Sequence, residues 1–214
     1  MTELTLYWSP GSCSQAVRVA LAECEAQYEA RRLFLNEGDQ SKPEYLAINP
    51  RGRVPALQVD GAVITEVLAI LVFIARRWPE RVLLPREPIA EAQSLATMAW
   101  LSNTVHPGFA RLFRPERVVS DPAVYPAVRD NARTLTWSNL QEIERALQHA
   151  PWMAGAAYSV CDPYTLVFLA WGKRLEFPLD ELPACQDFIT RMLDRPAVRK
   201  VLEEENSILL ENRS

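Results

Sequence analysis

Cys13 stands in Tyr7-Trp8-Ser9-Pro10-Gly11-Ser12-Cys13-Ser14, where a β-rich run meets a turn and then an amphipathic stretch. This spacing predicts a thiol at the start of a helix. Unpaired amides and the positive end of the helix dipole favour an anion there, so the cysteine is expected to have a depressed pKa and to act as a nucleophile. The competing reading is a small buried residue, since free cysteine usually packs in a core. Cys24, Cys161 and Cys185 lack such a setting and are assigned to packing. A second segment, Asn49-Pro50-Arg51-Gly52-Arg53-Val54-Pro55-Ala56-Leu57, passes from a turn into a strand through a Val-Pro step. Proline removes a ladder donor and is normally kept to edges and strand starts. A cis Val54-Pro55 bond would turn the backbone of Val54 outward toward an extended, peptide-like ligand, whereas the commoner trans form would simply open an edge strand. The third segment, Ile64-Thr65-Glu66-Val67, begins another helix. Free amides beside one carboxylate can receive a zwitterion, the amides taking its carboxylate and Glu66 its ammonium. Glu66 also fits a surface residue that only complements the helix dipole.

The elements that must hold these residues divide the chain in two. Leu4 to Trp8 reads as a strand, Ser14 to about Glu25 as a helix, and Tyr28 to Leu35 as a second strand. Ser41-Lys42-Pro43-Glu44 is expected to open a short helix with Ser41 as its cap. Val54 to Val59 and Ala62 to Ile64, joined by Asp60-Gly61, form a hairpin, because Asp-Gly suits a type I′ turn. A helix from Glu66 to about Trp78 completes the order β-α-β-α-β-β-α. Beyond Pro85 only helical patterns appear. Ile89 to Phe113 is one, kinked or interrupted at His106-Pro107-Gly108. Asp121-Pro122 opens another that reaches about His149, and Ser159-Val160-Cys161-Asp162 is a capping box, with Asp in the usual Glu place, before the apolar run Tyr164 to Trp171. Helices at about Pro183 to Leu193 and Ala197 to Glu204 follow. The expected organisation is an α/β domain over 1–80, a linker over 81–87 and an all-helical domain over 88–214.

Composition removes several functions. The chain has 214 residues with 16 Pro and 7 Gly, and no two glycines are spaced to write G-x-G-x-x-G or a phosphate-cradling Walker loop. With 23 Lys+Arg against 27 Asp+Glu the net charge is -4, which disfavours a nucleic-acid partner. The longest uncharged apolar stretch, Val67 to Ala75, is about half of a bilayer span, so no membrane association is expected. The N-terminus lacks a basic region followed by an apolar core, which points to the cytoplasm. Four scattered cysteines and two histidines give no metal-site spacing, and no metal is expected.

Taken in order, Ser-Pro-Gly-Ser-Cys-Ser at 9–14, Ile-Asn-Pro-x-Gly-x-Val-Pro-x-Leu at 48–57, Ile-Thr-Glu at 64–66 and the capping box at 159–162 resemble the glutathione S-transferase family. Cys13 together with His106 in Thr-Val-His-Pro is most similar to its bacterial beta class. The resemblance implies a thioredoxin-like N-terminal domain, an all-α C-terminal domain, a homodimer and a cis Val54-Pro55 bond. It implies that Val54 and Pro55 present backbone to glutathione, that Glu66 and the amide of Val67 hold its γ-glutamyl end, and that Arg53 takes its glycine carboxylate. Cys13 and His106 would face the glutathione sulfur, with Tyr7, Ser9 and Ser12 as further candidate donors to the thiolate. The co-substrate pocket is expected to draw on Ser12, Phe109, Arg111 and Arg114. Arg111, Arg114 and Arg117 would share one flank if their helix continued, favouring an anionic co-substrate or forming only a solvated row. Ser159 and Asp162 are given a structural capping role, and His149 a place at a helix C-terminus. Glu37, Val67 and Ala99 replace polar or basic residues common in the class, so weaker glutathione affinity is expected. The implied activity is conjugation of glutathione to small hydrophobic electrophiles. Thiol-disulfide exchange through Cys13 and a non-catalytic binding role are the alternatives.

Overall fold

A computed structural model of the chain describes residues 3–211. β1 (Leu4–Trp8) is buried along its whole length because it lies inside a four-stranded sheet of order β2-β1-β3-β4. β2 (Glu29–Arg32) runs parallel to it, while β3 (Ala56–Val59) and β4 (Ala62–Thr65) form an antiparallel hairpin on its other side, closed by Asp60-Gly61. α1 (Ser14–Glu23) connects the parallel pair and α3 (Val67–Arg77) follows the hairpin. Both contribute to the core that also takes Leu6, Trp8 and Leu57. Side chains alternate along a strand, so Tyr7 faces the opposite side, where it packs with Tyr45 of α2 (Pro43–Leu46) and Ala56. The cap of α2 is Lys42 rather than Ser41, and it makes no side-chain bond, because Pro43 already supplies the first helical residue with a preset φ. The second strand is also shorter than the expected Tyr28 to Leu35, since its pairing with β1 ends at Arg32.

The second domain is helical: α4 (Pro88–Trp100), α5 (His106–Phe113), α6 (Tyr125–His149), α7 (Cys161–Arg174), α8 (Pro183–Leu193) and α9 (Pro196–Glu204). Between α4 and α5 the helix does not break. Residues Leu101–Val105 form a π turn, in which the amide of His106 reaches back to the carbonyl of Leu101. Pro107 has no amide to donate and would crowd the carbonyl four residues back, and the wider turn relieves that conflict. α7 is buried on nearly every side, and its start is the predicted capping box. Asp162 accepts from the amides of Met153 (2.8 Å) and Ser159 (2.7 Å) and from the Ser159 hydroxyl (3.2 Å), and Cys161 donates to Ser159 Oγ (3.2 Å). Burial pushes the Asp162 carboxyl up to about 7, against the pull of these donors.

The two domains share one core. α1 packs against α7 and α9, and Leu83 and Leu84, between α3 and α4, are buried in the same cluster. Among the described residues no helix is long and apolar enough to cross a membrane. His149 ends α6 with its ring bonded to the carbonyl of Arg145 (2.7 Å).

Candidate active site

The turn that carries Cys13 is fixed from both domains. Gly11 adopts φ 65°, a left-handed conformation open to glycine at little cost, and this lets the chain double back before α1. Its amide donates to Glu205 Oε2 (3.0 Å), and its carbonyl accepts from the Trp171 indole (2.8 Å). Within the turn, Ser12 Oγ bonds the carbonyl of Ser9 (2.7 Å) and lies 2.6 Å from Ser14 Oγ. Cys13 therefore reaches the start of α1 in a defined orientation, with its thiol donating to the carbonyl of Val54 (3.6 Å).

The expected depression of the Cys13 pKa is overturned. Cys13 is 7% exposed, and desolvation pushes the thiol up to about 12. Its own backbone amide and the Arg53 guanidinium pull the other way, while the Glu66 carboxylate adds to the rise. The helix start does act as reasoned, yet burial outweighs it. At neutral pH Cys13 is a protonated hydrogen-bond donor rather than a thiolate.

The Val54-Pro55 peptide is cis. The loop before it is tied down at the carbonyl of Arg53, which accepts from the Tyr45 hydroxyl (2.6 Å) and from Asn49 Nδ2 (2.7 Å). Gly52 cannot be replaced cheaply, because a Cβ there would stand 2.8 Å from the backbone oxygen of Gln40. At the start of α3, Glu66 has φ 72° and ψ 126°, a conformation that costs a non-glycine residue about 1–3 kcal/mol. The first-turn amides of α3 have no acceptor within the helix, and Glu66 and Val67 line the same space as Cys13. The exposed Glu66 carboxylate lies 3.5 Å from Arg51, which also bonds the Thr65 hydroxyl (3.1 Å).

His106 closes the site from α5. Its Nδ1 is 3.2 Å from the Tyr164 hydroxyl, and its ring meets Trp171 edge to face with centroids 5.1 Å apart. Burial, helped by the Arg53 charge, pulls the imidazole pKa down to about 4. The folded protein then lacks a proton that the unfolded chain carries between about pH 4 and 6.5. Stability contributed by neutral His106 is therefore full above pH 6.5 and lost as the pH falls toward 4. Unfolding curves of wild type and His106→Asn are expected to converge over that window, and the imidazole signals in NMR should titrate near 4. Titration near 6.5 would place the ring in water instead.

Cys13, Arg53, Val54, Pro55, Glu66, Val67, His106, Ser12, Arg111 and Arg114 all line one cavity of about 960 Å³ between the domains. A smaller one of about 280 Å³ lies beyond the Pro10-Gly11-Ser12 turn, against Glu205 and Trp171. Two expected residues are elsewhere. Tyr7 points to the far face of the sheet, its hydroxyl 3.5 Å from Gln58 Oε1 and 3.4 Å from Arg31, so it is no donor to a sulfur beside Cys13. Phe109 is fully buried, stacked on Phe168 with centroids 5.9 Å apart, and Phe113 takes its place on the cavity wall. The helical flank proposed for the arginine row also ends early, because α5 stops at Phe113. Arg111, Arg114 and Arg117 nonetheless all line the cavity.

Residues 10–77 match the family model for the glutathione S-transferase N-terminal domain. Over 210 residues the chain is 31% identical to glutathione S-transferase GstA of Escherichia coli O157:H7, covering 94% of this chain and 98% of the relative. The chain belongs to the glutathione S-transferase family. Two solved structures agree. One is a glutathione transferase homologue from Sulfitobacter with bound glutathione (TM-score 0.90, 31% identity, 95% of this chain and 99% of that one). The other is a beta-class glutathione S-transferase of Sphingomonas chungbukensis (TM-score 0.83, 30% identity, 94% and 98%). In this glutathione S-transferase, Tyr164, Trp171 and Ser102 also line the cavity, although none stood out in the sequence. Tyr164 and Trp171 are seven residues apart on α7, which puts both on one helix face, and that spacing of polar-tipped aromatics was the available signal. Of the three family departures, Glu37 and Val67 are at the cavity, while Ala99 lies outside its lining on α4.

Proposed function

We propose that this glutathione S-transferase joins the sulfur of glutathione to electrophilic carbons of small hydrophobic compounds, working as a cytoplasmic homodimer in detoxification. One observation carries the reading: the Val54 backbone, the Glu66-Val67 helix start and Cys13 open onto a single cavity that the second domain closes with His106. In the proposed complex Val54 pairs with the cysteinyl backbone of glutathione, Glu66 meets its ammonium and the amide of Val67 its γ-glutamyl carboxylate. The Arg53 guanidinium is the natural partner for the glycine carboxylate. The glutathione thiol gives its proton to solvent, and the resulting thiolate is stabilised by the α1 amides and by the Cys13 thiol, which turns from the Val54 carbonyl to donate to it. The thiolate then forms the C–S bond, and a leaving halide departs with the bonding pair.

Exchange chemistry is disfavoured because it needs Cys13 as a thiolate, and burial holds that thiol protonated. Turnover of 1-chloro-2,4-dinitrobenzene with glutathione is therefore expected in wild type, and Cys13→Ala should retain it to within about tenfold, the worth of one neutral hydrogen bond. After incubation with oxidised glutathione at neutral pH, mass spectrometry should find Cys13 unmodified. A stoichiometric adduct would favour exchange, and failure of both proteins to conjugate would favour a binding role.

A further inference from the structure

The walls of the large cavity differ in charge from the rest of the protein. Seven arginines and only two carboxylates, Glu37 and Glu66, line it, in a chain whose acids outnumber its bases overall. The first-domain arginines are partly accounted for: Arg51 lies beside Glu66, Arg32 covers the Phe34 ring at 4.7 Å, and Arg53 stands near Cys13. The second-domain wall is different. Arg111 follows His106 on α5, Arg114 and Arg117 follow in the next turn, and Arg174 ends α7 beside the Gly11 turn. Only Arg114 has an acidic partner, Glu116 at 3.7 Å, whereas Arg111, Arg117 and Arg174 make no ion pair among the described residues. Between them the wall is apolar and aromatic, with Phe113 meeting Trp171 edge to face at 5.6 Å.

We propose that this wall selects co-substrates that carry a carboxylate on an aromatic body, the anion held by Arg111, Arg117 and Arg174 and the ring by Phe113 and Trp171. Glutathione does not account for these cations, because its proposed contacts all lie on the first domain. Uncompensated guanidinium groups beside a low-dielectric wall concentrate anions and pair with carboxylates in a planar, bidentate geometry. The selection rests on the transferase reading above, and the test separates the two.

The probes are 4-chloro-3,5-dinitrobenzoate and its neutral amide, which undergo the same step: sulfur bonds the ring carbon and chloride leaves with its electron pair. After division by the uncatalysed rate, kcat/KM is expected to favour the carboxylate by about threefold or more at low salt, as one or more solvent-exposed ion pairs would give. The ratio should fall toward one near 1 M salt, where screening shortens to about 3 Å. It should also fall toward one in Arg111→Gln/Arg117→Gln. A ratio of one or below in wild type, or one that survives in the double variant, overturns the proposal. If neither chloride is turned over, the transferase reading has failed on its own, and calorimetry with the two preformed glutathione conjugates decides the charge preference. Tighter binding of the acidic conjugate, lost in the double variant, supports it, and equal affinities overturn it.

Discussion

Glu205→Ala is expected to lose about 3–5 kcal/mol of stability, the usual result of removing one partner from a buried ion pair. The Glu205 side chain is 1% exposed, and Arg18, its partner at 2.9 Å, is 6% exposed. The same carboxylate accepts from the Gly11 amide and from Gln15 Nε2 (3.1 Å), so truncation leaves a buried guanidinium and two donors short of a partner. Arg18 keeps Glu204 and the Trp8 ring, 4.0 Å away, which limits the damage without removing it. Urea unfolding measures the loss, and a change below about 1 kcal/mol would show the pair to be no better than a surface one. A functional effect should accompany it. Gly11 lies two residues before Cys13, and freeing its amide should raise KM for glutathione in the protein that remains folded.

Asp162→Ala is expected to lose about 2–4 kcal/mol, because two buried amides and a hydroxyl lose their acceptor and each unmade bond costs about 1–3 kcal/mol. One of those amides belongs to Met153, nine residues away, so the carboxylate fastens the loop before α7 as well as the helix start. Asp162→Asn keeps one acceptor oxygen and should lose less. The ordering of midpoints, wild type above Asn above Ala, is the measurement. Equal midpoints for all three would reduce this cap to an exposed one.

Much of the fold was legible because local chemistry and tertiary packing agree. A β-rich run stopped at Ser9-Pro10-Gly11 marks β1, Asp60-Gly61 marks the hairpin, Asp121-Pro122 a helix start, and Ser159 to Asp162 a cap, each a local signal with a local cause. The site was legible only in part. Glu66, Val67, Val54 and His106 could be named because their segments have a distinctive residue order. The Cys13 pKa could not be read, because a helix start favours the thiolate while burial comes from a core that gathers residues far apart in the sequence. Tyr7 was misplaced for a similar reason. Its strand position was right, but which face meets the ligand depends on where α1 and α2 pack, and α2 covers the side that Tyr7 occupies.

The π turn at Leu101–Val105 sets the direction in which α5 presents its side chains to the cavity. A π turn is an α-helix with one residue inserted, and each residue advances the helix by about 100°. The single added position therefore sets the rotational phase of everything after it, including His106 and Arg111. Removing one residue there would restore an even pitch and swing both side chains off the cavity wall without changing either. Among relatives of this chain, a one-residue length difference in that turn would matter more to the ligand than many substitutions in the lining itself.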